Sequence, residues 1–169
     1  EINRRAEENG FIIHAAVLNA ADYGAPQVRK RTISIGARAD LFPFGITLPE
    51  PTHTGIWKTV REAIGDLPDP EGTEIRDEPP PLDLHFGRNP RAESVERYKA
   101  VPPGGNRFDL QENAPHLLPE CWRKKTSGGT DLFGRLWWDR PSVTIRTEFF
   151  KPEKGRYLHP EKHRPITHR

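Results

Sequence analysis

The chain has 169 residues, of which 34% are hydrophobic and 30% charged, and this length allows one domain or one domain with part of a neighbour. The formal charge of +2 does not by itself indicate a nucleic-acid partner, and the single cysteine excludes an internal disulfide framework. No segment resembles a signal peptide or a membrane span, so we expect a cytoplasmic protein without a membrane partner.

The first forty residues predict a helix followed by two strands. Helix formers fill residues 1–9, and Gly10 is placed to end the helix. An apolar, strand-like run follows over residues 11–18, and residues 32–35 alternate polar and apolar side chains. Turn-forming residues between these two runs predict a loop that joins two strands.

The middle of the chain predicts little regular structure, because the 18 prolines favour long loops. Residues 56–64 carry apolar side chains at helical spacing, and residues 91–100 predict a second short helix. Residues 135–150 have the strongest β signal of the chain and predict a pair of strands, with Pro141 at an edge or a bend.

Residues 18–31, with the sequence LNAADYGAPQVRKR, carry the motif that points to a function. Gln27, Arg29 and Arg31 form a Gln-Xaa-Arg-Xaa-Arg arrangement directly after a turn. In an extended segment the two arginines project from one face, so that two planar sets of donors converge on one ligand. The alternative is a solvated basic edge strand that blocks aggregation.

This motif, with the phrase that precedes it, resembles the eighth conserved motif of the DNA cytosine-5 methyltransferases. In that family the target cytosine is rotated out of the duplex and receives a methyl group from S-adenosylmethionine. The resemblance implies that Arg31 binds O2 of the flipped cytosine and that Arg29 helps to hold the site, as cytosine-positioning catalytic residues. A fixed cation there stabilises the charge that develops during attack on the ring.

Two further segments resemble the same family. Thr144 and Ile145 match a dipeptide near the end of its variable recognition region, and residues 164–169 resemble the opening of its ninth motif. The family's glycine-rich cofactor loop and its Pro-Cys nucleophile are expected before Glu1. We therefore expect no cofactor-binding residue in this chain and no activity from the chain alone, and we interpret Cys121 as a packing residue.

Several residues are candidates for contacts with double-stranded DNA. Glycine pairs in residues 102–106 and 127–131 would let backbone amides approach phosphates, although ordinary turns explain them nearly as well. Arg135 opens the predicted strand pair and could bind a guanine edge or a phosphate, or simply cap the strand. The predicted DNA-binding residues are Gln27, Ser127, Gly128, Gly129, Thr130, Arg135, Thr144 and Ile145.

Three other features have weaker claims to function. His159 and His163 have the spacing of half a zinc finger but lack a cysteine pair, so we predict no metal site. The adjacent Trp137 and Trp138 would point to opposite faces of a strand, with one in the core and the other exposed, where it could stack on a base.

The expected fold is an α/β edge fragment of an S-adenosylmethionine-dependent methyltransferase domain, followed by a small, irregular, mostly β and loop target-recognition domain. The segments are strands of the catalytic domain (1–38), a connection with a short helix (39–78), the recognition domain (79–155) and a return segment (156–169).

The predicted function is sequence-specific recognition of DNA and positioning of the flipped cytosine, in a bacterial restriction-modification system. The expected partners are duplex DNA and the remainder of the methyltransferase, either as the same chain or as a second subunit. The alternative is a stand-alone nucleic-acid-binding module without catalytic ancestry.

Overall fold

The computed structural model describes residues 1–124 and 127–169, which form two compact units. Unit 1 covers Glu1–Lys58 and unit 2 covers Thr59–Arg169. Among the described residues no helix is long and apolar enough to cross a membrane. The division into four segments that the sequence suggested stays a prediction.

Unit 1 is built on two antiparallel strands. Helix α1 (Ile2–Glu8) leads into β1 (Phe11–Asn19), a 3₁₀ turn spans Ala20–Tyr23, and β2 spans Lys30–Arg38. The register places Phe11 opposite Arg38 and Leu18 opposite Arg31. The predicted helix and two strands are confirmed, with β2 longer than expected. Exposed apolar side chains lie on both faces of the pair, including Val17 and Ile33.

Four short α-helices lie in the described part of unit 2. They are α2 (Val60–Ile64), α3 (Ala92–Ala100), α4 (Arg107–Asn113) and α5 (Glu120–Arg123). The predicted helix over residues 56–64 begins only at Val60, because Thr59 and Glu62 form a capping box that fixes its start. Helix α3 is confirmed, whereas α4 was not predicted.

The predicted strand pair over residues 135–150 is wrong. Only β3 (Gly134–Arg135) is a strand there, and it pairs in parallel with β4 (Arg156–Leu158). Pro141 cannot donate to a sheet ladder, and turns and bends follow β3 up to residue 150. Unit 2 thus has more helix than strand in its described part and is otherwise irregular, so the β part of the expected irregular, mostly β and loop recognition domain is corrected.

The apolar core of unit 2 joins its helices to the parallel strand pair. Phe133 is at its centre, with the rings of Tyr98 and Trp122 at 5.9 and 5.2 Å. The buried members are Tyr98, Val101, Leu110, Ala114, Leu118, Phe133 and Leu158. This core fixes the ends of α3 and α4 against β4, next to the polar groups described below.

Candidate nucleic-acid interface

The segment with Gln27, Arg29 and Arg31 runs from the turn into β2. Gln27 and Arg29 are half-buried, whereas Arg31 is exposed. The N–H of Arg29 donates to Asn19 Oδ1 at 3.1 Å, and the carbonyl of Arg29 accepts from the N–H of Ala20 at 3.0 Å. The backbone of Arg29 is therefore fixed by the end of β1.

Arg31 presents its guanidinium group at the surface. Within residues 1–124 and 127–169, this side chain makes one hydrogen bond, in which Nη1 donates to the carbonyl of Lys30 at 2.7 Å. A guanidinium group carries five N–H donors, so Arg31 keeps donors for an external ligand. Convergence of Arg29 and Arg31 on one ligand stays a prediction.

The turn between β1 and β2 is tied to a later segment of unit 1, residues 49–57, which we call the strap. The main-chain carbonyl of Asp22 accepts hydrogen bonds from the N–H groups of Thr52 and His53, at 2.9 and 2.8 Å. The strap therefore lies directly against the turn that precedes the two arginines.

Two side-chain hydrogen bonds add to this attachment. Trp57 donates from Nε1 to Asp22 Oδ1 at 2.7 Å, and the hydroxyl of Tyr23 donates to the carbonyl of Pro49 at 2.9 Å. Both ends of the strap are thus bound to the turn.

Gly24 explains why the turn needs a glycine at this position. Its φ of +87° lies in the left-handed region, and a Cβ added there would come within 2.9 Å of the ring of His53. A side chain at this position would therefore strain the backbone and displace the strap.

Arg135, a predicted DNA contact, is buried inside unit 2. Only 2% of the residue is exposed, and its guanidinium group donates to the carbonyls of Val101, Tyr98, His159 and Lys162 at 2.6 to 2.8 Å. Burial lowers the pKa of this group. Since the donors are bound inside unit 2, none is aimed at a base edge, and we correct the role of Arg135 to a structural one.

Arg156 is a second buried arginine at the start of β4. Its ring partner is Trp137, with the guanidinium carbon 4.0 Å from the ring centroid. It also reaches Asp131 Oδ1 at 3.4 Å. The main-chain carbonyls that accept from Arg156 are those of Gly104, Gly105, Thr130 and Arg135. Both glycine-containing loops singled out in the sequence are therefore attached to one side chain.

Arg107, the first residue of α4, holds the loop that contains Ser127 and Gly128. Arg107 is fully buried, and its Nη2 donates to the carbonyl of Gly128 at 2.8 Å and to that of Ser127 at 3.3 Å. Its Nε also donates to the carbonyl of Gly128, at 3.2 Å. The two carbonyl groups therefore point inward, toward α4.

The N–H groups of the same peptides point the other way. In a trans peptide the C=O and N–H bonds are oppositely directed, and the described residues contain no cis peptide. The N–H groups of Gly128 and Gly129 consequently face away from Arg107, and Ser127, Gly128 and Thr130 are exposed. Two successive outward amides of this kind are potential hydrogen-bond donors to an anion.

The Thr144 and Ile145 pair lies in an irregular, half-buried segment that follows Pro141. Ser142, two residues earlier, is buried. The structure therefore does not place this pair in a strand. Its contact with DNA stays a prediction.

Trp137 and Trp138 are both half-buried. Trp137 packs on Arg156, whereas Trp138 donates from Nε1 to Glu161 Oε1 at 2.6 Å and meets the ring of His159 edge-on at 5.2 Å. Both rings thus have partners within unit 2. The predicted stacking of one of them on a base remains untested.

His159 is a packing residue in this structure. Its Nδ1 accepts hydrogen bonds from the N–H groups of Glu161 and Lys162, at 3.1 and 3.0 Å. Burial, with the nearby charge of Arg164, lowers its pKa from 6.5 to about 4. Within residues 1–124 and 127–169, no three His, Cys, Asp or Glu side chains are grouped for a metal ion.

Cys121 does not pack in the core, and the packing role predicted for it is wrong. It is exposed on α5, whereas the neighbouring Trp122 carries the contact with Phe133.

Sequence reasoning missed several residues that support the candidate sites in each of the two units. The partners Asp22 and Trp57 are 35 positions apart. In the sequence, nothing distinguishes Arg107 and Arg156 from surface arginines. A local clue existed only for α4, where Asn106 and Asp109 have capping-box spacing.

The family model of the C-5 cytosine-specific DNA methylases matches residues 1–169. The chain is 33% identical over 168 residues to Type II methyltransferase M1.HphI of Haemophilus parahaemolyticus, covering 99% of this chain and 39% of that protein. It is 31% identical over 165 residues to Type II methylase M.HgiDII of Herpetosiphon aurantiacus, covering 95% and 43%. The chain thus spans about two-fifths of the length of these relatives.

A shorter match has higher identity. Over 63 residues the chain is 46% identical to Type II methyltransferase M.BsuRI of Bacillus subtilis, covering 34% of this chain and 14% of that protein. All three similarities are to proteins named as Type II methylases or methyltransferases.

Proposed function

Since the chain belongs to the C-5 cytosine-specific DNA methylase family, we propose that it serves sequence-specific methylation of cytosine in double-stranded DNA. Unit 1 would supply the arginines that position the flipped cytosine, and unit 2 would bind the DNA around the target. Membership of this family removes the alternative of a module without catalytic ancestry. The names of the relatives support a role in a restriction-modification system.

The observation that carries this proposal is the contrast between the backbone and the guanidinium group at the motif. Hydrogen bonds to Asn19 and Ala20 fix the backbone of Arg29. Two residues on, the guanidinium group of Arg31 is at the surface and, among the described residues, is bound only to the adjacent carbonyl. A fixed backbone that carries an exposed cation suits a ligand, the flipped cytosine, that becomes accessible only when the base is extruded from the duplex.

The chemistry proposed for Arg31 is stabilisation of charge on the flipped base. Nucleophilic addition at C6 pushes negative charge onto the cytosine ring, including O2. A guanidinium group directed at O2 would stabilise that charge more strongly than it stabilises the unreacted base. Arg29, whose backbone is held by Asn19, would keep the neighbouring segment in place.

The loop of Ser127, Gly128, Gly129 and Thr130 is proposed to contact the DNA backbone. Arg107 draws two carbonyls inward, so that the N–H groups of Gly128 and Gly129 face outward. Amides so arranged can donate to a phosphate oxygen, which fixes position without selecting sequence. With Arg135 bound inside unit 2, Gln27, Thr144 and Ile145 remain the proposed base-side contacts.

S-adenosylmethionine is the methyl donor that the family implies, and the described residues of this chain do not fit it. The concave surface near Asn9 and Phe11 is bordered by Arg38 and Asp40. These two side chains are paired with each other at 2.5 Å. The residues that line this surface do not form the glycine-rich loop expected for the cofactor. We assign no residue of this chain to the cofactor.

The experiment that tests the proposed function is Arg31→Ala in the full-length protein. We expect the single-turnover methylation rate to fall by about a hundredfold or more, as for loss of one charge-stabilising donor. Affinity for the target duplex should change far less, because the contact forms only with the extruded base. Equal losses in rate and affinity would place Arg31 on the DNA backbone and overturn the proposal.

The matched control for this experiment is Lys30→Ala. Lys30 is exposed, lies next to Arg31 in β2, and opposes Asn19 in the register. Neighbouring strand residues point to opposite faces, so this change removes a nearby cation that does not share the face of Arg31. Its methylation rate should stay close to that of the unmodified protein.

A further inference from the structure

Asp22 and Trp57 lie outside the Gln-Xaa-Arg-Xaa-Arg motif, yet they are the polar side-chain link between the turn and the end of the strap. We propose that this hydrogen bond is a latch that positions Arg31 for the flipped cytosine, and that both are positioning residues for methyl transfer. The inference rests on the proposed function and names two residues that support its site.

A continuous set of contacts connects the latch to the arginines. Trp57 Nε1 donates to the carboxylate of Asp22, which lies in the 3₁₀ turn Ala20–Tyr23. The first residue of that turn, Ala20, donates its N–H to the carbonyl of Arg29. Arg31 follows two residues later, in β2. Moving Asp22 would therefore move the turn to which the backbone of Arg29 is bound.

The remaining contacts of the strap act on the same turn. The carbonyl of Asp22 accepts from the N–H groups of Thr52 and His53, and the ring of His53 lies against Gly24. These contacts involve main-chain atoms or ring packing. The Asp22–Trp57 bond, like the Tyr23–Pro49 bond at the other end of the strap, can be removed by a side-chain substitution without altering the backbone bonds of the strap.

We expect the latch to affect the position of Arg31 more than the stability of the fold. Trp57 is 41% exposed, and exposed hydrogen bonds add little to the free energy of folding. Small displacements of a group that contacts the reacting base are costly for rate, on the other hand, because the reaction needs a defined alignment. Loss of the latch should therefore affect catalysis before it affects folding.

The test uses three variants of the full-length protein. Trp57→Phe keeps an aromatic ring but loses the donor, Asp22→Ala loses the acceptor, and Asp22→Asn keeps an acceptor oxygen without the charge. We expect the first two to lower the single-turnover methylation rate by about tenfold or more, with affinity for the target duplex nearly unchanged. Asp22→Asn should retain most of the rate, and all three should melt at similar temperatures.

A double-mutant cycle with Arg31→Ala shows whether the latch acts through Arg31. We expect Asp22→Ala to slow methylation in the unmodified background but to add little once Arg31 is alanine. Equal slowing in both backgrounds, or an Asp22→Asn variant as slow as Asp22→Ala, would overturn the latch.

The cycle also separates the latch from the function on which it rests. If Arg31→Ala alone reduces rate and affinity equally, the proposed function fails. If Arg31→Ala reduces chiefly the rate and the cycle is additive, only the latch fails.

Discussion

The guanidinium group of Arg135 binds four main-chain carbonyls, at the end of α3 and in the segment that follows β4. A charged group this deeply buried is stable only when its donors are satisfied, and the carbonyls in turn depend on it. Arg135 therefore acts as a link between two chain segments that have no regular hydrogen-bond ladder of their own.

Arg135→Met should lower the free energy of unfolding by roughly 3 kcal/mol or more, because it leaves several buried carbonyls without a donor. Urea unfolding would measure this loss. Arg146→Met, at an exposed arginine, is the control and should change stability by less than about 0.5 kcal/mol. A stable Arg135→Met protein with an altered preference for target bases would restore the original interpretation of Arg135 as a base contact.

His159 should make stability depend on pH. Its folded pKa is about 4, below the ordinary value of 6.5, because burial disfavours the charged ring. Between these values the unfolded chain takes up a proton that the folded protein does not. Stability is therefore full above pH 6.5 and declines as the pH falls toward 4, by about 2 kcal/mol between pH 7 and pH 5.

The control for this pH dependence is His159→Asn, whose carbonyl oxygen can accept the N–H bonds of Glu161 and Lys162 but does not titrate. Unfolding free energies measured at pH 7 and pH 5 should differ less in this variant than in the unmodified protein. An identical difference in the two proteins would show that the ring of His159 is protonated in the folded state.

The secondary-structure elements show where the sequence was informative. The strands β1 and β2 were predictable because a run of apolar side chains and a turn signal agree with each other. The segment after Arg135 has equally strong β-forming residues, yet Trp137 and Trp138 are held by side-chain partners and Pro141 interrupts any ladder. Local propensity could not anticipate these tertiary contacts.

The motif that suggested the function was more predictable than its surroundings. Gln27, Arg29 and Arg31 could be singled out because they are close in sequence and follow a turn. Arg107 and Arg156 bind carbonyls that are 20 and 52 positions away, so their roles depend on contacts between distant segments. Arg135 was assigned to DNA because its sequence position does not show its burial.

The proposed phosphate contact of the loop held by Arg107 can be tested by a glycine substitution. Gly128 has φ +70° with open space where a Cβ would lie, so Gly128→Ala strains the backbone without a clash. We expect the outward amides to lose their alignment, and affinity for target and non-target duplexes to fall by the same factor, because a phosphate contact carries no sequence information.

Gly10→Ala is the matched control for that variant. Gly10 has φ +76° and equally open surroundings but lies between α1 and β1 in unit 1, and it is not a proposed DNA contact. Binding isotherms for both variants with both duplexes would compare them. If the two substitutions alter DNA binding equally, the proposed phosphate contact at the Gly128 loop is wrong.

The two units of the molecule are stabilised in different ways. Unit 1 rests on a long antiparallel ladder of two strands, in which backbone pairs with backbone. Unit 2 has a small apolar core and short elements, and buried arginines connect its loops. The family relationship holds across the entire chain, even though the regular structure is concentrated in its first quarter.

The buried arginines of unit 2 also bear on how such a chain can diversify. Arg107 and Arg156 grip their loops through main-chain carbonyls, and every amino acid supplies that group. At loop positions other than the positive-φ glycines Gly104, Gly128 and Gly129, side chains can therefore be exchanged without loss of these hydrogen bonds. The exposed side chains of such loops can change while the buried hydrogen bonds that hold the loops are retained.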